Sequence, residues 1–459
     1  MSYLILNPLL GDNKTVVKCS VEVSLLTVTG IGRCLVVVMV LLCMHAIITS
    51  AMADDLAIWD RSTLTGDWGG MRTDLSDRGV DISLRLSQYG QRVVTGGRDV
   101  NGEYGGTMDY RFNIDTNKLF GTWKGFSINM HARTRFGNDV LEDAGGLTLP
   151  NTGLLQPNPG DYHNTDITGL TVNQFFPLGE THIGLATLGK IDVIDAVTLF
   201  FPHVGYGQEG FFNTNAMVTA LPWFGAVTGL SLYGGWLAAI NNERQIGQSA
   251  VLALGTRSAS TSWPSISSSF EEGVWLAAFH RFLYDVGDKP GYFMMFGGYS
   301  TRDQASNDFS DFIIVPGEGI ESDDKKNPWN IAFYLSQQVW NVPDNTNRKV
   351  EVLIGGTVGP DNPQFAQYNL FTNVEAYGLF ASRPNDRMGA SVWHNWLSDD
   401  FVDLVSPVVK LRDTYGLDLY YNFRITEWAH VSADLQFVEN EYRGDDLAVI
   451  PGARLVIDF

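Results

Sequence analysis

Cysteine is nearly absent from this chain: three residues in 459, Cys19, Cys34 and Cys43, all in the first 43 positions. That excludes a disulfide framework, a cysteine-ligated metal site and a thiol nucleophile in the body of the protein. Histidine is scarce as well. There are 8, with no H-E-x-x-H or close pair, which argues against a zinc site. Basic residues number 31 against 51 acidic ones, a formal charge of −20 and the wrong sign for nucleic acid. No Gly-rich loop runs into Lys-Ser or Lys-Thr, and Gly229-Leu230-Ser231-Leu232-Tyr233 lacks the closing glycine of a nucleophile elbow. Long apolar runs are limited to one, Cys34 to Ala53, so a multi-helix membrane protein is excluded.

That run has the layout of a secretory leader. Lys14, Lys18 and Arg33 precede it, Ala51-Met52-Ala53 closes it in the A-x-A manner, and Asp54-Asp55 follow. Cleavage after Ala53 is expected, leaving a short periplasmic segment over 54–79 and a main body over 80–459; an uncleaved anchor is the alternative. The leader holds three basic and two acidic residues, so the remainder carries −21 and no cysteine. An exported chain without staples must be secured by how its sheet closes.

What the chain has in quantity is glycine (48), aromatics (12%) and apolar residues (44%), set out in period-two runs. Val80, Ile82, Leu84 and Leu86 alternate with Asp81, Ser83, Arg85 and Ser87, and Met108, Tyr110, Phe112 and Ile114 with Asp109, Arg111, Asn113 and Asp115. Successive strand side chains point to opposite faces, so each run builds one apolar and one polar face. The count predicts sixteen strands, near 80–95, 106–118, 125–137, 166–177, 181–191, 211–221, 226–240, 272–285, 291–301, 327–341, 347–357, 368–381, 387–396, 412–425, 428–439 and 448–459. Short turns (119–124, 178–180, 222–225, 286–290, 341–345, 382–387, 426–427) alternate with long loops (138–165, 192–210, 241–271, 302–326). Trp123, Trp223, Trp340, Trp396 and Trp428 fall near strand ends. This rhythm and these girdles indicate an all-β, transmembrane antiparallel barrel of about 16 strands, preceded by a short helix over Met71 to Arg78 that Gly79 stops. A soluble β-sandwich is the competing architecture, but it does not require alternating loop lengths. Phe459, closing the run of Leu455 and Ile457, is expected to sit at the closing edge and to be read by the barrel-assembly machinery.

Several segments resemble a known family, the carbohydrate-selective porins of the OprB family. They are Leu64-Thr65-Gly66-Asp67-Trp68-Gly69-Gly70-Met71-Arg72, Gly189-Lys190-Ile191-Asp192, Gly205-Tyr206-Gly207, Gly210-Phe211-Phe212-Asn213-Thr214, and the C-terminal Thr426-Glu427-Trp428 and Gly452-Ala453-Arg454-Leu455. Glu427 and Ala433 stand where the family commonly has proline. The resemblance implies a passive, sugar-admitting pore in the outer membrane of a Gram-negative bacterium, reached by Sec export and in contact with lipopolysaccharide. From the residues themselves, no cofactor and no enzyme activity are expected. Monomer or homo-oligomer is left open. A less selective porin for small cations or organic acids is the alternative, and a barrel lipase or protease is the rival of another class.

If apolar residues face lipid, their polar neighbours face the lumen, because Arg or Lys on the lipid face costs about 2–4 kcal/mol at midplane. The pore-lining candidates are therefore Arg85, Asp109, Arg111, Asn113, Asp115, Asn129, His131, Arg133, Arg135 and Lys190. Mixed charges and amides suit sugar hydroxyls, which donate to carboxylates and accept from guanidiniums; cross-strand pairing that only holds register is the other reading. Arg111, Arg133 and Arg135 are expected to form a basic ladder. The segment 192–210 is too apolar for a solvated loop and is expected to narrow the barrel, with Asp192, Asp195, Phe200, Phe201, Tyr206 and Glu209 as candidates; packing at the rim is the alternative. Asp139, Glu142, Asp143 and Tyr162 mark 138–165 as a second constriction candidate. Asp308, Asp311, Glu318, Glu321, Asp323 and Asp324 match no EF-hand and read as a solvated loop before a calcium site.

Overall fold

The period-two runs become strands, and the strands close on themselves. The computed structural model describes residues 57–155, 165–218, 227, 229–241, 247–259, 266–315, 319–322, 325–343 and 345–459. The leader, Trp223, Tyr162 and the turn expected at 222–225 lie outside these, as do Glu318, Asp323 and Asp324.

Sixteen long strands lie among the described residues: β1 Val80–Arg92, β2 Gly102–Asp115, β3 Phe126–Gly137, β4 Thr165–Leu178, β5 His182–Asp192, β6 Ser231–Asn241, β7 Gln248–Gly255 and β8 Val274–Val286 form the first half. The second half is β9 Lys289–Ser300, β10 Trp329–Val342, β11 Asn345–Val358, β12 Ala366–Tyr377, β13 Arg387–Leu397, β14 Thr414–Arg424, β15 Ala429–Glu439 and β16 Asp446–Asp458. Each pairs antiparallel with its sequence neighbour, and β16 pairs with β1, Arg85 opposite Asp458 and Tyr89 opposite Arg454. Among the described residues the barrel sheet itself has no open edge.

Burial runs inside out. On β14, Thr414, Asp418 and Asn422 are buried, whereas Tyr415, Leu419 and Phe423 are 47%, 37% and 42% exposed. On β12, Asn369 and Asn373 are buried between exposed Tyr368, Leu370 and Val374. Facing water, each such apolar side chain would forgo about 1.5–3 kcal/mol of burial. Against hydrocarbon it forgoes nothing, and the hydrogen-bonded barrel exposes no backbone to lipid. Aromatics ring both ends: Trp123 stacks on Phe126 at 4.2 Å at the short-turn end, and Trp396 meets Tyr368 and His394 at the other.

Val80 and Asp458 lie at the short-turn end, where the N-terminal segment crosses the seam. Its helix α1, Met71–Asp77, is followed by Gly79 at φ +89°, where a Cβ would meet the Lys118 Cβ at 2.7 Å. Arg72 donates to the Phe459 main-chain oxygen, the Leu64 amide donates to the Asp458 carbonyl, and Trp428 Nε1 donates to the Ile58 carbonyl.

Two expectations fail together. The strand expected at 211–221 is not one: over its described part the chain is irregular with a 3-10 turn at Thr214–Ala216. In its place the expected loop 241–271 contains β7. Phe211, Phe212, Asn213 and Met217 are buried on every side within the lumen, so their alternation reports no two-faced sheet.

Candidate functional site

The segment that follows β5 crosses the inside of the barrel. Asp192 ends β5 and caps helix α2, Val193–Phe200, its Oδ1 accepting from the Ile194 amide at 2.9 Å. The helix lays Ala196, Val197 and Phe200 on apolar inner-wall residues, with Phe200 edge-on to Phe279 at 4.8 Å and to Trp236 at 5.8 Å. Phe201 tilts against Tyr334 at 4.6 Å. Arg281 donates to the Phe200 carbonyl at the helix end. Pro202 then opens a 3-10 stretch, Pro202–Gly207, in which Tyr206 takes a positive φ of 57°. That left-handed backbone is strained for a bulky residue; it is held by the Tyr206 amide donating to Thr198 Oγ1 and by Arg111 lying 4.1 Å over the ring.

The far side is tied to the opposite wall. Arg454 donates to the carbonyls of Gly207 (3.0 Å) and Gly210 (2.9 Å), and Asp418 Oδ2 accepts from the amides of Phe212 (3.1 Å) and Asn213 (2.8 Å). Arg387 donates to the His203 carbonyl at 2.7 Å. Contacts with strands all around the barrel put residues 193–218 inside it. Residues 147–154 pack on this loop from the long-loop end, Thr152 donating to the Phe212 carbonyl. Gly207 and Gly153 make that approach: a Cβ on Gly207 would lie 2.7 Å from the Gly153 nitrogen.

Two cavities flank the crossing loop on the short-turn side. One, of 410 Å³, is lined by Ser83, Arg111, Asn113, Asn129, His131, Asp192, Asp195 and Tyr206 among others. The other, of 640 Å³, is lined by His203, Glu209, Arg281, Tyr292, Lys349, Glu351, Glu375, Tyr377 and Arg387. A third, of 890 Å³, opens at the long-loop end beside Arg135, Asp139, Glu142, Asp143 and Leu154.

The candidates chosen from sequence distribute unevenly over this geometry. Arg85 bridges Asp458 and Glu209. Burial works against the Glu209 carboxylate, but Arg85, with His430 and Arg387 beyond, holds it below the ordinary carboxylate range. Asp109 is fully buried and accepts from Arg133 Nε (2.7 Å) and Gln208 Nε2 (2.8 Å), and its Oδ1 lies 2.8 Å from His131 Nε2. No basic ladder forms: Arg133 is 2% exposed and paired with Asp109, Arg135 is paired with Asp139 at 2.7 Å, and Arg111 alone of the three reaches a periplasmic-side cavity. A charge this deep is stable only when matched at close range, which removes Arg133 from the lumen. Phe201 is buried and offers no open ring face, and Phe200, partly buried, packs edge-on to the wall, so both anchor the loop. Asp115 caps the helix Thr116–Phe120 at the turn. Asn113 donates to Asp81 at 3.3 Å, and Lys190 is buried on β5.

The polar groups of the second half were not singled out from sequence. Arg387 meets Glu375 at 2.7 Å, Tyr420 donates to Glu375 at 2.8 Å, Lys349 pairs with Glu351 at 2.8 Å, and Arg281 lies 4.8 Å over Tyr292. Their signal was present, since each is a charged or aromatic residue at an inward position of an expected strand.

A closed barrel with a lipid-compatible outside, a polar inside and a loop folded across the lumen defines a pore-forming protein of the outer-membrane kind. The sequence profile of the carbohydrate-selective porin, OprB family matches residues 101–448, and the chain belongs to that family. It is thus a carbohydrate-selective porin of the outer membrane. Porin B of Pseudomonas aeruginosa PAO1 is 21% identical over 424 residues, spanning 85% of this chain and 90% of that protein. The high-pH structure of Pseudomonas putida OprB superposes with a TM-score of 0.73 at 19% identity, over 88% of this chain and 100% of that one. The low-pH structure of the same protein gives 0.54 at 18% identity, over 87% and 99%.

Proposed function

We propose that this chain admits mono- and small oligosaccharides by passive diffusion through a constriction bounded by residues 193–218 and the polar side chains of the wall. The observation that carries the reading is the pairing of charge along the lumen wall and between the wall and the crossing loop. Arg85 with Glu209, Arg111 with Asp195, Arg387 with Glu375 and Lys349 with Glu351 each join opposite signs at the cavities. Paired charges present donors and acceptors in quantity while their long-range fields largely cancel. That suits a neutral, hydroxyl-rich solute and gives little preference to an ion of either sign. Contacts shared among many weak hydrogen bonds let the solute leave as readily as it binds.

The same reading has the chain act as a channel without catalysis. It has the leader removed after Ala53 following Sec export, and Phe459 engaged by the assembly machinery; the number of subunits does not enter it.

Single-channel recording tests the lining. Maltose is expected to reduce current in the wild type and to do so less in Arg111→Gln. Equal block in both would remove Arg111 from the solute's path.

A further inference from the structure

We propose that His131, Asp192 and Asp195 form a binding site for a divalent first-row transition cation of the Zn²⁺ class, placed where the crossing loop leaves the wall. The inference is independent of which solute the pore admits. His131 comes from β3, Asp192 from the end of β5 and Asp195 from the first turn of α2, so no sequence spacing announces the set. One donor atom from each lies within 4.8 Å of the others.

The imidazole has a carboxylate at both nitrogens. Nε2 lies 2.8 Å from Asp109 Oδ1; Nδ1 lies 2.8 Å from Asp195 Oδ2 and 3.3 Å from Asp192 Oδ2. Asp109 already accepts from Arg133 and Gln208, so it is fixed as an acceptor and the ring hydrogen belongs on Nε2. In the neutral ring the Nδ1 lone pair then points at two carboxylate oxygens. Only a cation between them makes that arrangement favourable, either a proton or a metal ion.

Supporting contacts have the form that metal sites use. His131 gives its other N–H to a carboxylate, Asp192 Oδ2 accepts from Thr168 Oγ1 at 2.7 Å, and Asp192 Oδ1 is held by the Ile194 amide. Donors of a tetrahedral ion with bonds of about 2.0–2.2 Å lie about 3.4 Å apart. The His131–Asp192 separation already fits, and Asp195 must draw back by roughly half an ångström on the same geometry. It is the partly exposed member, and its Oδ1 makes only a 3.6 Å approach to the Arg111 guanidinium and no hydrogen bond, so little holds it back. All three residues border the 410 Å³ cavity, and Asp195 is the member whose side chain opens onto it. A bound ion would tie the first turn of α2 to β3 and fix the loop at its root.

Calorimetric titration of the purified, detergent-solubilised barrel with Zn²⁺ tests this. One equivalent is expected at neutral pH, with proton release and weaker binding as the pH is lowered. His131→Asn and Asp195→Asn are each expected to weaken it by ~10-fold or more, while His280→Asn, on the outer face, leaves it unchanged. Heat-modifiable migration on gels shows which variants hold a closed barrel. Wild-type barrel that takes up no Zn²⁺ at millimolar concentration overturns the proposal whatever the variants do, and so does equal binding by wild type and both folded variants.

Discussion

Arg85 on β1 and Asp458 on β16 are joined at two points, Nε to Oδ1 at 2.5 Å and Nη2 to Oδ2 at 2.8 Å, and the same guanidinium holds Glu209 at 3.0 Å. One side chain thus fastens the seam where the barrel closes and the loop that crosses it. Closure and constriction share a residue.

Asp458→Asn keeps the side chain's shape and removes the charge that this pair uses. Hydrogen bonds to charged groups contribute about 1.5–3 kcal/mol each, and this pair is only partly shielded from water. A loss of about 2 kcal/mol is expected, read as a lower temperature for conversion from the folded to the unfolded gel form.

Arg133 and Arg111 are expected to respond differently to truncation. Arg133→Ala leaves Asp109, fully buried, without its closest charge partner, which costs about 3–5 kcal/mol for a buried pair. Arg111→Ala loses a 3.6 Å approach to Asp195 and a ring contact with Tyr206 at the surface of a cavity. It should change conductance and leave the unfolding temperature nearly unchanged. Comparing the two by thermal gel shift and bilayer recording checks this.

Gly153→Ala would place a Cβ 1.8 Å from the Tyr89 hydroxyl, with Tyr89 itself buried. Overpacking of about 1–3 kcal/mol follows, and residues 147–154 should lift from the crossing loop. Protease sensitivity in that loop is expected to rise. Gly444→Ala, with open space around it, is the control.

Glu441 lies in the β15–β16 loop, outside the membrane-spanning strands. Burial pushes its carboxyl above the ordinary range, with the backbone amides near Leu147 and Arg98 opposing less strongly. The folded state therefore holds this proton more tightly than the unfolded state, so this group's contribution to stability is fully present at acid pH and is lost as pH rises past the unfolded value. Glu441→Gln removes that loss. Amide exchange in residues 145–149 should slow at neutral pH relative to wild type, and match it at acid pH.

The sequence carried the barrel plainly and half of the lumen. Where the wall is polar inside and apolar outside, as on β1, β2 and β14, alternation identifies both strand and facing. It failed at β7, Gln248–Gly255, because Ala250, Leu252 and Leu254 are buried inward while Val251 faces out. Both faces there are apolar, since the crossing loop packs on the inner one, and the period vanishes. Residues 211–218 err the other way, their alternation arising in a segment buried on all sides. The reach of Arg454 to Gly207 and Gly210, or of Asp418 to Phe212, depends on which strands stand opposite across the closed barrel, and no local pattern encodes that.

Liposome swelling compares solutes of similar size directly and bears on the central claim. With the purified barrel reconstituted, glucose and maltose are expected to enter faster than amino acids or dicarboxylates of matched size, and Arg111→Gln is expected to narrow the difference. Equal rates for sugars and ions of matched size in the wild type would contradict selection by paired charges in the lumen.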